Sequence, residues 1–307
     1  MDARQLRYFV AIYEQRALAR AAREVRVAVS ALSHHLTNLE ARLGSPLFTR
    51  RAKGLEPTAA GERLYAHART ILKAFDTAER DIRDSSGEIA GKVSIGMAHS
   101  AVKAIGVEMF QRATADYPRL RLSLSESLSG PMLLHLLASE VDLALVYNPP
   151  DDARLATIPV LDEQLFCVGR AALLGDTDAP IAFADILDLP IIILRLGLSA
   201  RALLDNATLL KRLEAAARFE MNSVHAISGS LVAGLGCTIG TRHFFSAEIA
   251  RGEIRARPIA EPTLHRRLYL CKMADQPASF AREAVERLLL ELVGNAVRSG
   301  NWEAELV

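Results

Sequence analysis

The chain has 307 residues, half of them hydrophobic and about a quarter charged, with a net charge of +1. This balance is typical of a soluble globular protein, and the length suits two or three domains. The opening MDARQLRYFVAIYEQ mixes charged with apolar residues, unlike a signal peptide, and the longest apolar runs fall short of the roughly 20 residues of a membrane helix. Cys167, Cys237 and Cys271 are widely spaced, which argues against a disulfide framework or a thiolate zinc site. We therefore expect a cytoplasmic protein.

The charge is distributed unevenly along the chain. Residues 1 to 91 carry 15 Lys and Arg against 11 Asp and Glu, whereas the remainder carries 22 against 25. A basic front part on an otherwise slightly acidic protein favours a polyanionic partner for that part. An ordinary solvated helical surface remains the alternative, because the excess is small.

Three short helices are predicted at the start of the chain. Apolar side chains recur at spacings of three and four over residues 6–13, again over 18–25, and a third time over 32–43. The third helix is expected to start at Ser30 as its N-cap and to end at Gly44 in a left-handed cap. Small residues in the second helix and a brief link to the third are typical of a helix-turn-helix module.

The polar face of the third helix carries side chains suited to reading DNA bases. They are uncharged donors and acceptors opposite the leucines. These residues are Ser30, Ser33, His34, Thr37 and Asn38. A solvated face that is polar by chance is the alternative. A metal site at His34 and His35 is disfavoured, because adjacent helical residues point about 100° apart and neither has a carboxylate or Cys four residues later.

A basic hairpin follows the third helix. Residues 47–50 and 55–58 are predicted as short strands around the turn RAKG, with Arg50, Arg51 and Lys53 at its tip. Such a cluster in isolation is usually only a charged turn. Beside a helix-turn-helix it indicates a wing that contacts phosphates or a minor groove.

A long helix is predicted over residues 58 to 84, ahead of the linker-like sequence DSSGEIAG at 84–91. Its apolar side chains alternate at spacings of four and three, as in a heptad seam. They are Leu64, Ala68, Ile71, Phe75, Ala78 and Ile82. The seam favours a dimer, because paired modules read paired half-sites. Packing of the seam on its own domain is the alternative.

The front part of the chain resembles the LysR-type transcriptional regulators. The resemblance rests on LRYFVAIYEQ, RAAREV, SALSHHLTNLEARLGSPLFTRR and PTAAG, in order over residues 6 to 61, and it continues through the rest of the chain. It implies a winged helix-turn-helix domain at 1–58, a dimerising linker helix and hinge at 59–91, and an effector-binding domain at 92–307. It also suggests a homotetramer assembled from homodimers.

The effector domain implied by the resemblance has two α/β lobes similar to periplasmic binding proteins. The first lobe would span about 92–161 plus 267–300, and the second about 162–266.

In the winged helix-turn-helix domain, the candidate DNA-contacting residues are Arg20, Val29, Ser30, Ser33, His34, Thr37, Asn38, Arg50, Arg51 and Lys53.

The starts of the second and third helices depart from the family pattern. The family commonly has Ser or Thr at Ala17 and Ala19, and Ser-Gln-Pro or a similar triplet at residues 28–30. A Gln at position 29 would bind adenine through two hydrogen bonds, whereas Val29 offers only methyl contact to thymine. Ala17 also forgoes an N-cap that typically contributes about 0.5–2 kcal/mol. Either the DNA site is unusual or binding is weaker than in relatives.

The remaining two thirds alternate strands with helices, which predicts parallel sheets covered on both faces. The strands lie in GKVSIGMAHSA, LRLSLSESLSG, DLALVYN, EQLFCVG, LPIIIL, FEMNSVHAI and RRLYLCKM, before a final helix ending near Asn295. GLGCTIG at 234–240 has GxGxxxG spacing between a helix and a strand, so we interpret it as a turn and not as a dinucleotide motif. Because no catalytic or metal-binding motif occurs, no enzyme activity, cofactor or metal is predicted.

A ligand site is predicted where strands end and helices begin, in the crevice between the lobes. The candidate residues are His99, Ser100, Ser129, Tyr147, Asn148, Ser199, Asn222 and Thr241. Hydroxyls at helix N-termini favour a carboxylate or another small anion, although such residues often only cap their helices. His99 would make ligand binding sensitive to pH.

These features together predict a ligand-responsive transcriptional regulator that binds double-stranded DNA as a homo-oligomer. A solute-binding protein of a transport system is the main alternative, and the basic N-terminal module together with the lack of an export signal argues against it. An enzyme that uses the crevice as its active site is the third possibility, disfavoured by the missing catalytic constellation.

Overall fold

The computed structural model describes residues 1–51, 54–83, 89–194, 206–276 and 279–307. These residues divide into two compact units, residues 1–88 with 276–279 and residues 89–275 with 280–307. The predicted contact residue Lys53, the predicted ligand residue Ser199 and segment 84–88 lie outside the described residues. Among the described helices, none is long and apolar enough to cross a membrane.

The first unit contains the three predicted helices, the hairpin and the long helix. Their bounds are α1 Ala3–Gln15, α2 Leu18–Glu24, α3 Val29–Leu43, β1 Phe48–Arg51, β2 Gly54–Pro57 and α4 Ala59–Arg83. The two strands pair antiparallel, with Arg50 opposite Leu55. Leucine and aromatic side chains from α1, α3 and the hairpin form one buried core, which confirms the predicted inward faces of α1 and α3.

The predicted start of α3 is wrong by two residues. Ala28 is the N-cap residue, in an extended conformation and without a side-chain cap, so Ser30 lies inside the first helical turn. Ser30 does not act as the N-cap and is exposed on the outer face of the helix. The predicted end is confirmed, because Gly44 adopts a left-handed conformation with φ of 64°. Ala17 is the N-cap residue of α2 and forms no side-chain hydrogen bond, because an alanine side chain has no polar atom.

The second unit begins and ends in a six-stranded mixed sheet with three helices. In chain order these elements are β3 Gly91–Ala98, α5 His99–Asp116, β4 Leu120–Ser127, α6 Ser129–Leu137, β5 Leu143–Tyr147, β6 Leu155–Gln164 and then, after an excursion, β13 His265–Met273, α12 Phe280–Arg298 and β14 Glu305–Leu306. The strand order is β14-β6-β13-β5-β3-β4. We call this part the first lobe.

The excursion forms the second lobe. Its elements are β7 Phe166–Gly169, α7 Ala171–Leu174, β8 Ile181–Ala182, α8 Phe183–Ile186, β9 Ile191–Leu194, α9 Ala207–Ala216, β10 Ala217–Met221, α10 Val224–Val232, β11 Thr238–Gly240, α11 Ser246–Ala250 and β12 Arg255–Ala260. The strands form a four-stranded sheet in the order β11-β7-β12-β8 and a parallel pair of β9 with β10.

The prediction of parallel sheets is wrong for part of each lobe. In the second lobe β7 runs antiparallel to both β11 and β12, although β8 runs parallel to β12. In the first lobe β3 runs parallel to β4 and β5, but β13 runs antiparallel to β5 and β6. The chain leaves the first lobe along β6 and returns along β13, so these two strands run in opposite directions. Antiparallel neighbours need no crossover helix between them.

The turn interpretation of GLGCTIG is confirmed. The segment follows α10 and leads into β11, and Gly234 has a φ of 75°. A Cβ atom at Gly236 would lie 2.1 Å from the carbonyl oxygen of Pro190, so only glycine fits this close approach. The sharp turn brings β11 beside β9, at the edge of the crevice between the lobes.

Candidate functional sites

The outer face of α3 presents the polar side chains predicted to read bases. Ser30, His34, Thr37 and Asn38 are exposed, and Ser33 is half-buried. Two local hydrogen bonds organise this face: the Thr37 hydroxyl donates to the Ser33 carbonyl at 3.1 Å, and Asn38 Nδ2 lies 3.0 Å from His34 Nε2. The face therefore offers a continuous row of uncharged polar groups, of a length suited to base edges.

Val29 is an exposed apolar residue at the first position of α3. Its side chain is 46% exposed and does not belong to the described hydrophobic core of the first unit. The N-terminal residues of a recognition helix are those that usually contact bases. A methyl-bearing side chain at this position is suited to contact with a thymine methyl group.

Glu40 connects α3 to the hairpin, a role that the sequence analysis missed. Its Oε1 accepts hydrogen bonds from the backbone N–H groups of Leu47 at 2.7 Å and Phe48 at 3.3 Å. Bonds to an ionised carboxylate are among the stronger ones in proteins. Glu40 thus fixes the start of the hairpin against the helix that carries the polar face.

The hairpin presents its arginines to solvent. Arg50 and Arg51 are both exposed, and Arg51 forms a surface ion pair with Glu56 at 3.0 Å. Such exposed pairs are weak and readily exchanged for another anion. Arg20 on α2 is exposed as well, and its guanidinium donates to the Gln15 carbonyl at 2.8 Å.

The apolar seam of α4 divides into two parts with different environments. Ala68 is fully buried, and Leu64 and Ile71 pack against the core of the first unit. Phe75 and Ile82 are 50% and 78% exposed. Packing on the parent domain, the alternative from the sequence, therefore accounts for the first part of the seam and leaves the second part uncovered in this single chain.

A cavity between the two lobes collects most of the predicted ligand residues. Together with the open solvent at its mouth it encloses about 680 Å³. Its described lining includes the predicted residues His99, Ser100, Ser129, Tyr147 and Thr241. The site lies where β3, β5 and β11 end, as the crevice rule predicts.

Two predicted ligand residues lie away from this lining. The side-chain oxygen of Asn148 accepts a hydrogen bond from the backbone of Arg267 at 3.0 Å, so Asn148 closes the end of the β5–β13 pair. Asn222 is an exposed residue just before α10. Both follow strand ends, but position along the chain alone did not reveal which side chains enter the cavity.

Arg266 is the charged centre of the cavity wall, and the sequence analysis missed it. Its Nε donates to Glu163 Oε2 at 2.8 Å and its Nη2 donates to the Ser100 hydroxyl at 2.8 Å. The guanidinium also lies over the ring of Tyr147, 3.6 Å from the ring centre. The signal was available, since an arginine at the start of the apolar strand RRLYLCKM requires a partner when buried.

Glu163 holds this cluster from behind. It is fully buried and also accepts a hydrogen bond from the indole N–H of Trp302, another fully buried residue. Burial raises the pKa of Tyr147 well above its usual value, so its hydroxyl stays a neutral donor. That hydroxyl lies near Glu163 and Ser100 but completes no hydrogen bond within the described part of the chain.

Comparison with known proteins identifies both parts of the chain. The family described as the bacterial regulatory helix-turn-helix protein, lysR family, matches residues 3–62, and the LysR substrate binding domain matches residues 86–294. The nitrogen assimilation regulatory protein nac of Klebsiella aerogenes is 30% identical over 309 residues, covering 100% of both chains. The transcriptional regulator BbuR of Bordetella bronchiseptica is 26% identical, covering 98% of this chain and 93% of the relative.

Solved structures show the same fold at lower identity. A full-length OxyR variant from Pseudomonas aeruginosa has a TM-score of 0.69 and 22% identity, covering 95% of this chain and 94% of its own. CbnR complexed with its target DNA has a TM-score of 0.61 and 19% identity, covering 96% and 100%. The predicted resemblance is thereby confirmed, and the chain belongs to the LysR family of DNA-binding transcriptional regulators.

Proposed function

We propose that this regulator binds promoter DNA through α3 and the β1–β2 hairpin. The exposed, uncharged polar face of α3 beside two exposed arginines is the observation that carries this assignment. An α-helix of this kind fits the major groove, where Ser33, His34 and Thr37 would meet base edges. Arg50 and Arg51 would contact phosphates, which position the protein without reading sequence. Acting on chromosomal DNA, the protein would work in the cytoplasm.

The proposal includes a dimer formed through α4 and a tetramer built from two dimers. The exposed part of the seam, with Phe75 and Ile82, supports the dimer because large apolar side chains on a helix are usually covered by a partner. Replacing Ile82 with Glu should shift the protein towards monomer in sedimentation experiments. An unchanged mass for Ile82→Glu would contradict the helix-mediated dimer.

The proposal further includes a small anionic effector in the cavity between the lobes. Helices α5 and α6 begin at the cavity with Ala98 and Leu128 as N-cap residues, and neither supplies a side-chain cap. The first-turn N–H groups of both helices thus lack that partner, and helix N-termini favour anions. Ser100 and Ser129 lie within these turns and do not cap them, contrary to the alternative left open by the sequence.

A ligand in this cavity would act on DNA binding only if it favours one arrangement of the oligomer over another. Gel retardation on DNA upstream of the protein's own gene, with random genomic fragments as competitor and at several salt concentrations, tests the DNA assignment. We expect retention that weakens steeply with salt. A protein that binds neither the upstream DNA nor the random fragments at low salt is not a regulator of this kind.

A further inference from the structure

We propose that the effector is an amphipathic monoanion, a single carboxylate on a compact apolar body. Its charge would face the first lobe and its body the second lobe. This inference rests on the proposed function, since it names the class of ligand for the same cavity. It follows from the unequal chemistry of the two cavity walls.

The wall from the first lobe is polar and favours negative charge. The N-termini of α5 and α6 meet there, together with the hydroxyls of Ser100 and Ser129. The second observation is Tyr147, which is 3% exposed, lines the cavity and completes no hydrogen bond through its hydroxyl within the described residues. A buried donor without an acceptor is costly, so a ligand oxygen at this point would be stabilised.

The same wall disfavours a positively charged ligand group. Arg266 contributes a cation, and both helix N-termini carry partial positive charge. Two carboxylates lie next to lining residues without lining the cavity themselves: Glu163 already accepts hydrogen bonds from Arg266 and Trp302, and Glu126 lies 3.9 Å from His99 Nε2. An ammonium group would therefore face positive potential and no carboxylate among the described lining residues, which argues against α-amino acids as effectors.

The wall from the second lobe is apolar. Its hydrophobic contributors are Leu194, Val224, Ile227, Ile239, Phe244 and Phe245. Of the two hydroxyls on this wall, Thr238 donates to the Ile192 carbonyl at 2.7 Å, whereas Thr241 accepts from the Phe244 N–H at 3.3 Å and can still donate its own proton to one ligand atom. Among the described lining residues, this lobe provides no ionisable side chain.

An apolar wall opposite an anion-binding wall selects the shape of the ligand. A hydrocarbon body is stabilised there by removal of its surface from water. A second carboxylate on the same body would lose its hydration against these apolar side chains, and none of the described lining residues of this lobe carries a positive charge to pair with it. Dicarboxylates and small fully polar anions are therefore expected to bind more weakly than a monocarboxylate with an apolar body.

A matched ligand series tests this class on the full-length protein. Phenylacetate is compared with phenylacetamide, 1,4-phenylenediacetate and phenylglycine, which respectively remove the charge, add a second carboxylate and add an ammonium group. The same comparison is made with cyclohexyl and isobutyl bodies. We expect at least one monocarboxylate to raise the melting temperature by about 3 °C or more near 100 times its Kd, and to bind at least tenfold more tightly than its three analogues. The proposal is overturned if a dicarboxylate or an amino acid binds most tightly, or if no ligand of the series raises the melting temperature.

A variant of the apolar wall provides a second, independent test. Val224 is half-buried at the first position of α10 and lines the cavity. Val224→Lys would place a cation opposite the anion-binding wall, and Val224→Met is the control for side-chain size. We expect Val224→Lys to raise the affinity for the dicarboxylate at least tenfold relative to Val224→Met. Equal dicarboxylate affinities for the two variants would contradict the assignment of the wall.

Gel retardation on the same preparations distinguishes a wrong ligand class from a wrong regulatory function. If the protein binds DNA but prefers a dicarboxylate, or binds no ligand of the series, only the inferred ligand class is wrong. If the protein binds the monocarboxylate but no DNA, the proposed regulatory function is wrong and the inferred ligand class is still supported.

Discussion

The two candidate sites of this protein are built in opposite ways. The polar face of α3 comes from ten consecutive residues, 29–38, and most of its side chains are exposed. The polar wall of the cavity joins residues far apart in the chain, such as Ser100 and Arg266, which are 166 positions apart, and it is largely buried. An exposed face can be altered with little effect on folding, whereas a buried charged cluster contributes to the fold as well as to the site.

The largest expected effect comes from breaking the buried cluster at Glu163. Glu163→Ala leaves the Arg266 guanidinium buried without its carboxylate, and such a loss typically costs about 3–5 kcal/mol. The free energy of unfolding from chemical denaturation measures it. Glu220→Ala, at an exposed position on β10, is the control and should change stability by less than about 0.5 kcal/mol. Similar values for both variants would show that the cluster is no more important for folding than the surface.

Glu40 tests whether any residue near the α3 face also supports the fold. Glu40→Ala removes the acceptor for the N–H groups of Leu47 and Phe48, and hydrogen bonds to charged groups contribute about 1.5–3 kcal/mol each. We expect lower stability together with weaker DNA retention, since the hairpin is no longer held against α3. Glu40→Gln keeps one acceptor oxygen and should lose less on both measures. If Glu40→Ala changes neither stability nor DNA binding, Glu40 does not hold the hairpin against α3.

Val29 tests whether the α3 face reads sequence. Val29→Gln provides a donor and an acceptor for adenine and should shift base preference at one position, with a discrimination of about 1–3 kcal/mol. Selection of binding sites from randomised DNA measures the change, while the melting temperature should stay constant because Val29 is exposed. Val107→Gln, at an exposed valine on α5, should leave base preference unaltered. Identical preferences for wild type and Val29→Gln would place this residue away from the bases.

The arginines of the hairpin should affect affinity without affecting sequence preference. Replacing Arg50 and Arg51 together with Ala should reduce the salt dependence of binding by a slope of about 0.9 for each lost phosphate contact. The loss should be equal on specific and random DNA, as measured by retention at several salt concentrations. Arg121→Ala, an exposed arginine on β4, is the control. A loss confined to the specific site would assign base contacts to the hairpin.

The smallest effect concerns pH and a partly exposed pair. Hydrogen bonds from Arg267 lower the pKa of Asp162 below the usual 3.8, so the pair stabilises the fold above that value and loses this contribution as pH falls through the lower folded pKa. The stability difference between wild type and Asp162→Asn should therefore be present at neutral pH and shrink below about pH 4. Asp188→Asn, at an exposed position, should show no such trend. A difference that stays constant to pH 2 would contradict the pairing.

Much of the local structure follows from the sequence alone. The spacing of Leu32 and Leu39 predicted the inward face of α3, and the left-handed cap at Gly44 followed from residue type. The strand-to-helix step near His99 was readable for the same reason. These features depend on interactions within a few residues, so a linear pattern contains the information that decides them. The start of α3 was misplaced because Ala28 takes an extended conformation without offering the side-chain signal of a cap.

Only the tertiary structure decided how distant segments meet. The antiparallel course of β13, the burial of Glu163 with Arg266 and Trp302, and the division of the α4 seam into covered and exposed parts all depend on contacts across the fold. A charge in an apolar strand signals that it needs a partner but does not identify the partner. The physical reason is that desolvation and pairing energies depend on the surroundings in space. Those surroundings are set by the packing of both lobes and not by the neighbouring residues in the chain.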